Sequence, residues 1–496
     1  MVDKMNYNNL KSGTDVRGIA TNLGGKAVDL TEQAVYDISA AFALWLSNRL
    51  NKDGNDLKIA VGHDSRITAD IISAQVKSAL TAGGINVFDC GLCSTPAMFM
   101  TTVDLDTDGA IQITASHHPF DRNGLKFFVK EGGLDGKEIS EILELANEQK
   151  CLEPSSSIVK SVDYMTDYAA RLRKMICDAC KTSEEEKPLS GYHIVVDAGN
   201  GVGGFYATDV LAPLGADISG SQFLEPDGNF PNHIPNPENK DAMESICKAV
   251  VENKADLGLI FDTDVDRAGC VGSDGKEINR NRLIALASYI ALQGNDGATI
   301  VTDSVTSDGL KVFIENDLGG KHYRYRRGYK NVIDKARELC ENGINCPLAI
   351  ETSGHAALRE NYFLDDGAYL VTKIVIELAR GNDIEKIIDN LELPAEEREC
   401  RLNITVPEFR VHGERIIDVF TEFCEQHPDF TVADDNREGV RVSTPNGWFL
   451  LRLSVHDPVM PMNFESRVKG GIESDIEAVL PFLKGFDGLD VSSLEK

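Results

Sequence analysis

A serine hydroxyl lies beside two imidazoles in the segment Thr114-Ala-Ser-His-His-Pro119, and the closing proline restricts the backbone of that loop. Ser116 is therefore the first candidate for a nucleophile. Downstream, Asn123-Gly124 is a dipeptide typical of tight turns, and it predicts that the chain reverses there and returns Lys126 toward Ser116. A lysine in that position would carry a proton or bind a phosphate.

A second group of reactive side chains follows the apolar run Leu257-Gly-Leu-Ile260. It consists of three aspartates at alternate positions, which we call the aspartate cluster: Asp262, Asp264 and Asp266. Side chains two apart in an extended backbone point to the same side, so the spacing predicts that the cluster converges on one hard cation and that Arg267 points to the opposite side. A hydroxyl nucleophile together with a divalent ion held by carboxylates indicates phosphoryl transfer.

Other interpretations of the aspartate cluster fit the sequence less well. A calcium-binding EF-hand loop needs glycine at its sixth position and glutamate at its twelfth, where this chain has Arg267 and Ser273, so that class is excluded. A haloacid-dehalogenase-like aspartyl nucleophile and a solvated acidic turn remain open.

Two further segments carry groups that bind ligands in other proteins. Gly199-Asn-Gly-Val-Gly-Gly204 fits the spacing of a dinucleotide-binding loop, with Asp217 as the acidic residue downstream, but a strand-to-helix turn is the favoured interpretation because Asp197 heads the loop. Glu351-Thr-Ser-Gly-His355 follows an apolar strand, so its acidic, hydroxyl and imidazole groups are candidates to bind sugar hydroxyls. A helix-entry turn would look the same.

A candidate phosphate clamp lies in the segment Gly447-Trp-Phe-Leu-Leu-Arg-Leu-Ser-Val-His-Asp-Pro458. The alternation predicts that three side chains share one side of a strand: Arg452, Ser454 and His456. A planar guanidinium flanked by other donors suits phosphate, although a strand with one buried arginine has the same pattern.

The elements that must position these groups alternate between strand and helix. A strand over 57–62, a helix over 71–82 and a strand over 85–89 form one βαβ unit, and the rhythm recurs to about residue 392. At 496 residues the chain is expected to form several domains. We predict an α/β protein of three tandem domains with mixed sheets and a smaller C-terminal α+β domain, around a central cleft, with these bounds: 1–160, 161–280, 281–395 and 396–496.

Composition restricts the partners of the chain. A net charge of −29 opposes binding to nucleic acid, so an anionic substrate would need a local basic site. No apolar run approaches the ~20 residues of a membrane span, and the amino end lacks a signal-peptide pattern, which predicts a cytoplasmic protein without a membrane partner. Eleven cysteines, an odd number, favour reduced thiols over a disulfide framework, and the two CxxC pairs lie too far apart for a zinc ribbon.

Five landmarks in this order resemble the α-D-phosphohexomutase family, most closely its phosphomannomutase/phosphoglucomutase branch. They are an opening arginine loop, a phosphoserine loop, a metal loop, a sugar-recognition loop and a phosphate loop, at 13–18, 114–119, 261–267, 351–355 and 452–458. The resemblance implies an isomerase that interconverts hexose 6-phosphate and hexose 1-phosphate of glucose or mannose, through a phosphoserine and a hexose 1,6-bisphosphate. It also implies a chain that acts as a monomer or homodimer.

The same resemblance implies roles for individual residues. Ser116 would carry the transferred phosphate and, with the aspartate cluster, bind Mg²⁺. The remaining catalytic set would be Arg17, His117, Lys126 and Arg267. Sugar hydroxyls would be held by Glu351, Ser353 and His355. The phosphate that is not being transferred would be held by Arg452, Ser454 and His456.

This chain departs from the family pattern at five positions inside and outside these loops: His118, Tyr329, Ile350, His456 and Asp457. Asp457 brings negative charge close to a phosphate loop. Phosphoglucosamine mutase is the alternative activity, and a catalytically inactive mutase-like protein that binds sugar phosphates is the alternative of another class. A dinucleotide-dependent oxidoreductase ranks third.

Overall fold

The computed structural model describes residues 6–454 and 457–495 and divides into two compact units. The first unit contains the chain up to Leu283 together with Ser353–Glu385. The second contains Ile284–Thr352 and the chain from Lys386 onward.

The N-terminal part of the first unit is a mixed sheet covered by helices. Its strands are β1 (Lys11–Ser12), β2 (Asp15–Ile19), β3 (Lys58–His63), β4 (Asn86–Leu92), β5 (Gly109–Ile113), β6 (Arg122–Val129), β7 (Gly132–Gly133) and β8 (Val159–Ser161). Its helices are α1 (Glu32–Leu50), α2 (Ala69–Ala82), α3 (Thr95–Asp104), α4 (Gly136–Asn147) and α5 (Tyr164–Cys180). The strand order is β1-β2-β6-β5-β3-β4-β8, with β7 paired to β6.

Strands β3, β4 and β5 of this sheet run parallel, as the predicted βαβ unit requires. The β-branched, fully buried side chains of Ile59 and Val61 suit the central strand β3, and α2 returns the chain to β4. Parallel strands end at one edge, so the loops after β3 and β5 emerge together. That edge carries Ser116.

The second sheet lies in the first unit and has the order β12-β11-β10-β9. Its strands are β9 (Ile194–Asp197), β10 (Leu257–Phe261), β11 (Ala268–Gly272) and β12 (Glu277–Ile278), accompanied by helix α6 (Lys240–Asn253). The next helix, α7 (Asn281–Leu292), begins in the first unit and continues in the second. Strand β10 runs parallel to β9 and antiparallel to β11. The aspartate cluster occupies the connection between β10 and β11.

The segments that follow divide between the units. In the second unit β13 (Thr299–Thr302) pairs in parallel with β14 (Lys321–Arg324) and β15 (Leu348–Ile350), with helices α8 (Asp308–Val312) and α9 (Tyr329–Glu341). In the first unit β16 (Ala356–Leu358) and β17 (Leu364–Asp365) form an antiparallel hairpin that leads into α10 (Gly367–Ala379), followed by α11 (Ile384–Ile387) at the boundary between the units. Helix α10 packs on α5, where the Tyr168 hydroxyl donates to the Asp366 carboxylate at 2.7 Å.

The C-terminal part of the second unit is a six-stranded sheet with two long helices. The elements are β18 (Glu396–Ile404), α12 (Phe409–Gln426), β19 (Thr431–Val432), β20 (Val440–Ser443), β21 (Gly447–Leu451), β22 (Val459–Ser466), α13 (Gly471–Leu483) and β23 (Leu489–Asp490). Phe420, Phe449 and Met462 form part of its core. This architecture confirms the predicted fold class of three α/β domains followed by a separate C-terminal sheet domain.

No helix in residues 6–454 and 457–495 is long and apolar enough to cross a membrane.

Glu465 on β22 predicts a pH-dependent stability. Glu465 is 5% exposed, and burial raises the pKa of its carboxyl to about 7. The folded chain therefore keeps a proton that the unfolded chain has lost, so the free energy of unfolding falls as pH rises from about 4.5 to about 7. We expect the decrease in the free energy of unfolding over this pH range to be smaller in Glu465→Gln than in the unmodified chain, by on the order of 2 kcal/mol. Urea unfolding across the same pH range measures the difference.

The matched control for this measurement is Glu477→Gln, because Glu477 lies exposed on α13. Its pH profile should parallel that of the unmodified chain. Parallel profiles for Glu465→Gln and the unmodified chain would contradict the burial argument.

Candidate active site

Ser116 lies in the loop after β5 and has an unusual backbone conformation. Ser116 is 2% exposed, and its backbone φ angle is +50°, a left-handed value that costs energy in a residue other than glycine. The Ser116 amide donates to the Thr114 hydroxyl oxygen at 2.8 Å, and that hydroxyl donates to the Asp64 carboxylate at 2.6 Å. These bonds fix the amide side of the nucleophile.

The carbonyl side of the loop is fixed by Arg66, whose side chain is fully buried. Its guanidinium donates to four main-chain carbonyl oxygens, at 2.5 to 2.8 Å: those of Ser116, His118, Pro119 and Arg122. One planar group with several donors thus closes the whole loop. The Asp64 carboxylate accepts from the Arg66 amide at 2.9 Å, so both anchors come from one turn after β3.

Sequence reasoning missed Asp64 and Arg66. The available signal was His63-Asp-Ser-Arg66 directly after a buried strand, at the same sheet edge as Ser116. Charged residues at the carboxyl end of a parallel strand are candidates to support the site, and these two support its nucleophile loop.

The aspartate cluster occupies a tight loop rather than an extended strand, with Val265 at φ +68°. All three aspartates are buried, and one carboxylate oxygen of each lies within 4.8 Å of the others. The Ser116 hydroxyl donates to the Asp262 carboxylate at 3.0 Å. The structure therefore brings the nucleophile loop and the aspartate cluster together, by a backbone route that differs from the predicted one.

The glycine-rich segment 199–204 packs against the main chain of the aspartate cluster. A Cβ at Gly201 would lie 2.5 Å from the Thr263 carbonyl oxygen, and the Val202 amide donates to that same oxygen at 2.9 Å. On the other side the Thr95 amide donates to the Asp264 carbonyl oxygen at 2.9 Å. The glycine spacing is thus explained by close packing of backbone on backbone, as the favoured turn interpretation predicts.

Arg267 does not point to the opposite side, so that prediction was wrong. Its guanidinium donates to the Ser116 hydroxyl oxygen at 2.9 Å and lies 3.5 Å from the Asp262 carboxylate. The turn at Val265 removes the strict alternation of a strand, and the side chain returns to its own loop. Burial lowers the pKa of Arg267, but Asp262 and Asp266 raise it further, so the group stays charged.

Lys126 reaches the aspartate cluster, but no turn at Asn123-Gly124 brings it there. Both residues lie inside β6, where Gly124 pairs with Arg17 of β2. A Cβ at Gly124 would lie 2.4 Å from the Val16 carbonyl oxygen, so this glycine serves close strand packing. The Lys126 ammonium lies 2.5 Å from Asp266 and 3.2 Å from Asp264.

Arg17 and His117 complete the predicted catalytic set. Arg17 forms an ion pair with Asp15 at 2.6 Å, and Asp15 raises its pKa against the lowering effect of burial. His117 Nδ1 accepts from Arg267. Burial, followed by the charge of Arg267, lowers the pKa of His117 to about 2, so its imidazole is neutral.

The donor set at the aspartate cluster fits a hard divalent cation. One oxygen, Oδ1, of both Asp264 and Asp266 is buried without a hydrogen-bond partner in the described part of the chain. Burial, and then repulsion from Asp266 and Asp264, raises the pKa of Asp262 well above its usual range. Buried, mutually repelling carboxylates with unused oxygens are the ligands that Mg²⁺ prefers.

The predicted sugar-binding residues divide between the units. In the first unit Ser353 is buried, and His355 Nδ1 lies 2.5 Å from Asp365 and 3.9 Å from Asp266. Burial lowers the pKa of His355, but Asp365 and Asp266 raise it above its usual value. In the second unit the carboxylate of the buried Glu351 accepts a hydrogen bond from the Gly328 amide at 2.6 Å.

The predicted phosphate clamp lies in the second unit. Strand β21 ends at Leu451, earlier than predicted, but the amides of Arg452 and Ser454 still donate to carbonyl oxygens of Pro461 and Val459. Arg452 and Ser454 therefore pair with the neighbouring strand at alternate positions, as two residues on the same side of a hairpin strand do. His456 lies outside the described residues.

Three family models match consecutive parts of the chain. They are phosphoglucomutase/phosphomannomutase alpha/beta/alpha domains I, II and III, over residues 9–152, 166–275 and 279–393.

Similar full-length proteins and structures agree with these models. The phosphoglucomutase of Neisseria gonorrhoeae is 29% identical over 92% of this chain and 93% of its own. The phosphomannomutase/phosphoglucomutase of Pseudomonas aeruginosa strain PAO1 is 29% identical over 90% and 92%. A crystal structure of a phosphoglucomutase/phosphomannomutase family protein from Burkholderia thailandensis gives a TM-score of 0.81 at 26% identity, covering 98% of this chain and 100% of that one. Parafusin from Paramecium shares the fold, with a TM-score of 0.70 at 17% identity and coverage of 95% and 93%.

Proposed function

Because this chain belongs to the α-D-phosphohexomutase family, we propose that it is an isomerase that interconverts hexose 6-phosphate and hexose 1-phosphate, with glucose and mannose phosphates as substrates. One observation carries the proposal. The Ser116 hydroxyl oxygen lies within hydrogen-bond distance of both Asp262 and Arg267, beside a cluster of buried carboxylates. A phosphoryl group on this hydroxyl could be neutralised by Arg267 and by a cation held in the carboxylate cluster.

In the proposed reaction Ser116 carries a phosphoryl group. The bond from phosphorus to Ser116 Oγ breaks as a bond to the free hydroxyl of a hexose monophosphate forms. The sugar hydroxyl gives up its proton and Ser116 Oγ takes one up, which restores the serine hydroxyl. The hexose 1,6-bisphosphate then returns its other phosphoryl group to Ser116. Such transfers depend on positioning and charge neutralisation more than on covalent chemistry.

Mg²⁺ is the proposed cofactor, held by Asp262, Asp264 and Asp266, and when bound it would neutralise charge on the phosphoryl oxygens. Arg267 would bind the same oxygens, since its guanidinium already contacts Ser116 Oγ. Lys126, which lies against two of the aspartates, is the proposed proton carrier, with Arg17 beside the loop.

The remaining predicted residues take binding roles in this proposal. Ser353 and His355 in the first unit, and Glu351 in the second, would hold sugar hydroxyls. Arg452 and Ser454 would bind the phosphate that is not being transferred. A reducing compartment such as the cytoplasm suits the eleven cysteines, which are free thiols in the described chain.

A coupled assay tests the proposal. We expect turnover of glucose 1-phosphate and mannose 1-phosphate in the presence of Mg²⁺ and a hexose bisphosphate primer. Chelation should lower the rate by on the order of 10³-fold, because the buried carboxylates then repel the phosphoryl group, and added Mg²⁺ should restore it.

The same assay distinguishes the alternatives. Faster turnover of glucosamine 1-phosphate would replace the substrate assignment. Binding of hexose phosphates with no turnover of any of them, by protein whose Ser116 is shown by mass spectrometry to be phosphorylated, would indicate a binding protein and overturn the proposed activity.

A further inference from the structure

The carboxylate of Glu438 lies in an anion-binding arrangement in the second unit. It accepts from the Ser304 hydroxyl at 2.5 Å and from the Arg327 amide at 3.1 Å. Ser304 follows β13 at the carboxyl end of a parallel strand, and Arg327 precedes α9. Donors at these two positions are typical of sites that bind anionic ligands in α/β sheets.

Arg452 is brought next to Glu438 by the backbone of Gly439. A Cβ at Gly439 would lie 2.0 Å from the Leu451 carbonyl oxygen and 2.8 Å from Arg452 Cα, and its φ is +56°. Only glycine fits such an approach at a left-handed angle. The sequence Glu438-Gly439 therefore fixes a carboxylate beside the start of the predicted phosphate clamp.

The charges around this carboxylate are those that a phosphate would meet. Burial lowers the pKa of Arg452, and Glu438 is the strongest of the charges that raise it, while Arg327 lowers it. Arg452 Nε is itself buried without a hydrogen-bond partner among residues 6–454 and 457–495. A hydroxyl, an amide and the nearby Arg452 guanidinium form a donor set suited to a phosphate, yet here they lie next to a side chain of the protein.

Glu438 and a phosphate cannot both use these donors. Two anions within a few ångströms repel each other, and the Ser304 hydroxyl has one proton to donate. The Glu438 segment between β19 and β20 has no regular secondary structure, and Arg326 Nε holds it through the Arg437 carbonyl oxygen at 2.9 Å. Displacing the carboxylate therefore costs a small number of hydrogen bonds.

We propose that Glu438 is an internal competitor that occupies the site of Ser304, Arg327 and Arg452 when no sugar phosphate is bound, and that the phosphate group displaces it. The proposal rests on the proposed function only in taking Arg452 as a phosphate ligand. A competitor that fills a site most of the time weakens the apparent affinity of the ligand by the fraction of time the site is open. Glu438 would thus limit how tightly sugar phosphates and free phosphate are held.

The test is calorimetric titration of the full chain with inorganic phosphate at constant ionic strength. Glu438→Gln keeps the size of the side chain but removes its charge, so we expect the Kd for phosphate to fall about tenfold. Glu422→Gln removes the same charge from an exposed position on α12 and should leave the Kd unchanged. The double variant Glu438→Gln with Arg452→Met should lose the gain, which places the effect at this site.

A supporting role for Glu438 would change the Kd for phosphate in the opposite direction. If Glu438 only tethers its loop, or helps to shape the phosphate site, Glu438→Gln will leave the Kd for phosphate unchanged or raise it, and the proposal fails. Circular dichroism and thermal unfolding of each variant show whether the fold is retained. Phosphate binding needs no turnover, so this outcome is independent of whether the chain proves to be a mutase.

Discussion

Ser116→Ala is expected to reduce mutase turnover by on the order of 10⁴-fold or more, because it removes the only atom proposed to accept the phosphoryl group. The hydroxyl lies 3.0 Å from Asp262 and 2.9 Å from Arg267, and neither neighbour can replace it as a carrier that returns the group to the sugar. Steady-state rates and intact mass measure the effect. The variant should carry no phosphoryl group after incubation with hexose bisphosphate.

The variant loses two hydrogen bonds to ionisable groups, Asp262 and Arg267, at an expected cost of about 3 kcal/mol. The fold should survive this change, because Asp262 and Arg267 keep their mutual ion pair at 3.5 Å. Ser39→Ala is a matched control, because Ser39 is also a fully buried serine and lies on α1. The Ser39→Ala variant should still be phosphorylated at Ser116 and should remain active. Full phosphorylation of the Ser116→Ala variant at another residue, with turnover preserved, would remove Ser116 from the mechanism.

Arg66→Lys is expected to lower kcat by on the order of 10²-fold with little change in KM. Lysine keeps the positive charge beside Asp64, but its three donors on a flexible stem cannot hold four carbonyl oxygens in one plane. The Ser116 backbone would then relax from its left-handed conformation, and a displacement of about 1 Å at a reacting group costs this much rate. Arg66→Met should be more severe, because Asp64 is left buried and unpaired, at about 3 to 5 kcal/mol.

Kinetics and unfolding must be measured together for Arg66, since a positioning role and a packing role both lower stability. Arg49→Lys, at a partly exposed position on α1 with ion pairs to Glu131 and Glu138, controls for the substitution type. A loss of unfolding free energy with kcat unchanged in Arg66→Lys would reduce Arg66 to a packing residue.

The fold was predictable from the sequence because its signals are local. A strand with a buried interior such as Lys58–His63, followed by an amphipathic stretch and a second run, specifies a βαβ unit without reference to the rest of the chain. The nucleophile loop and the aspartate cluster were also identifiable, because their residue types are rare in such spacing.

The backbone path at the site was less predictable. Asn123-Gly124 has the composition of a turn, yet the pairing of β6 with β2 and β5 overrides that preference and places both residues in a strand. Arg267 returns to the cluster because Val265 takes a left-handed conformation that its side chain does not favour. Tertiary contacts decide both cases, and they are not written in neighbouring residues.

Arg66 could not be assigned from sequence for a different reason. Its partners are main-chain oxygens, and every residue has one, so no particular partner type at Ser116 or Pro119 reveals the contact. Only the fold shows that the turn after β3 lies under the loop after β5.

The clearance at Gly201 has a consequence for how variants of this chain should be interpreted. Any other amino acid there would push its first carbon into the Thr263 carbonyl, 2.5 Å away, and so shift the segment between the first two aspartates. A mutational scan would then score position 201 as intolerant, alongside the nucleophile itself, although it offers no atom to sugar, phosphate or ion. Intolerance at this position measures the room left for a neighbouring main chain, and it should not be taken as a sign of chemical participation.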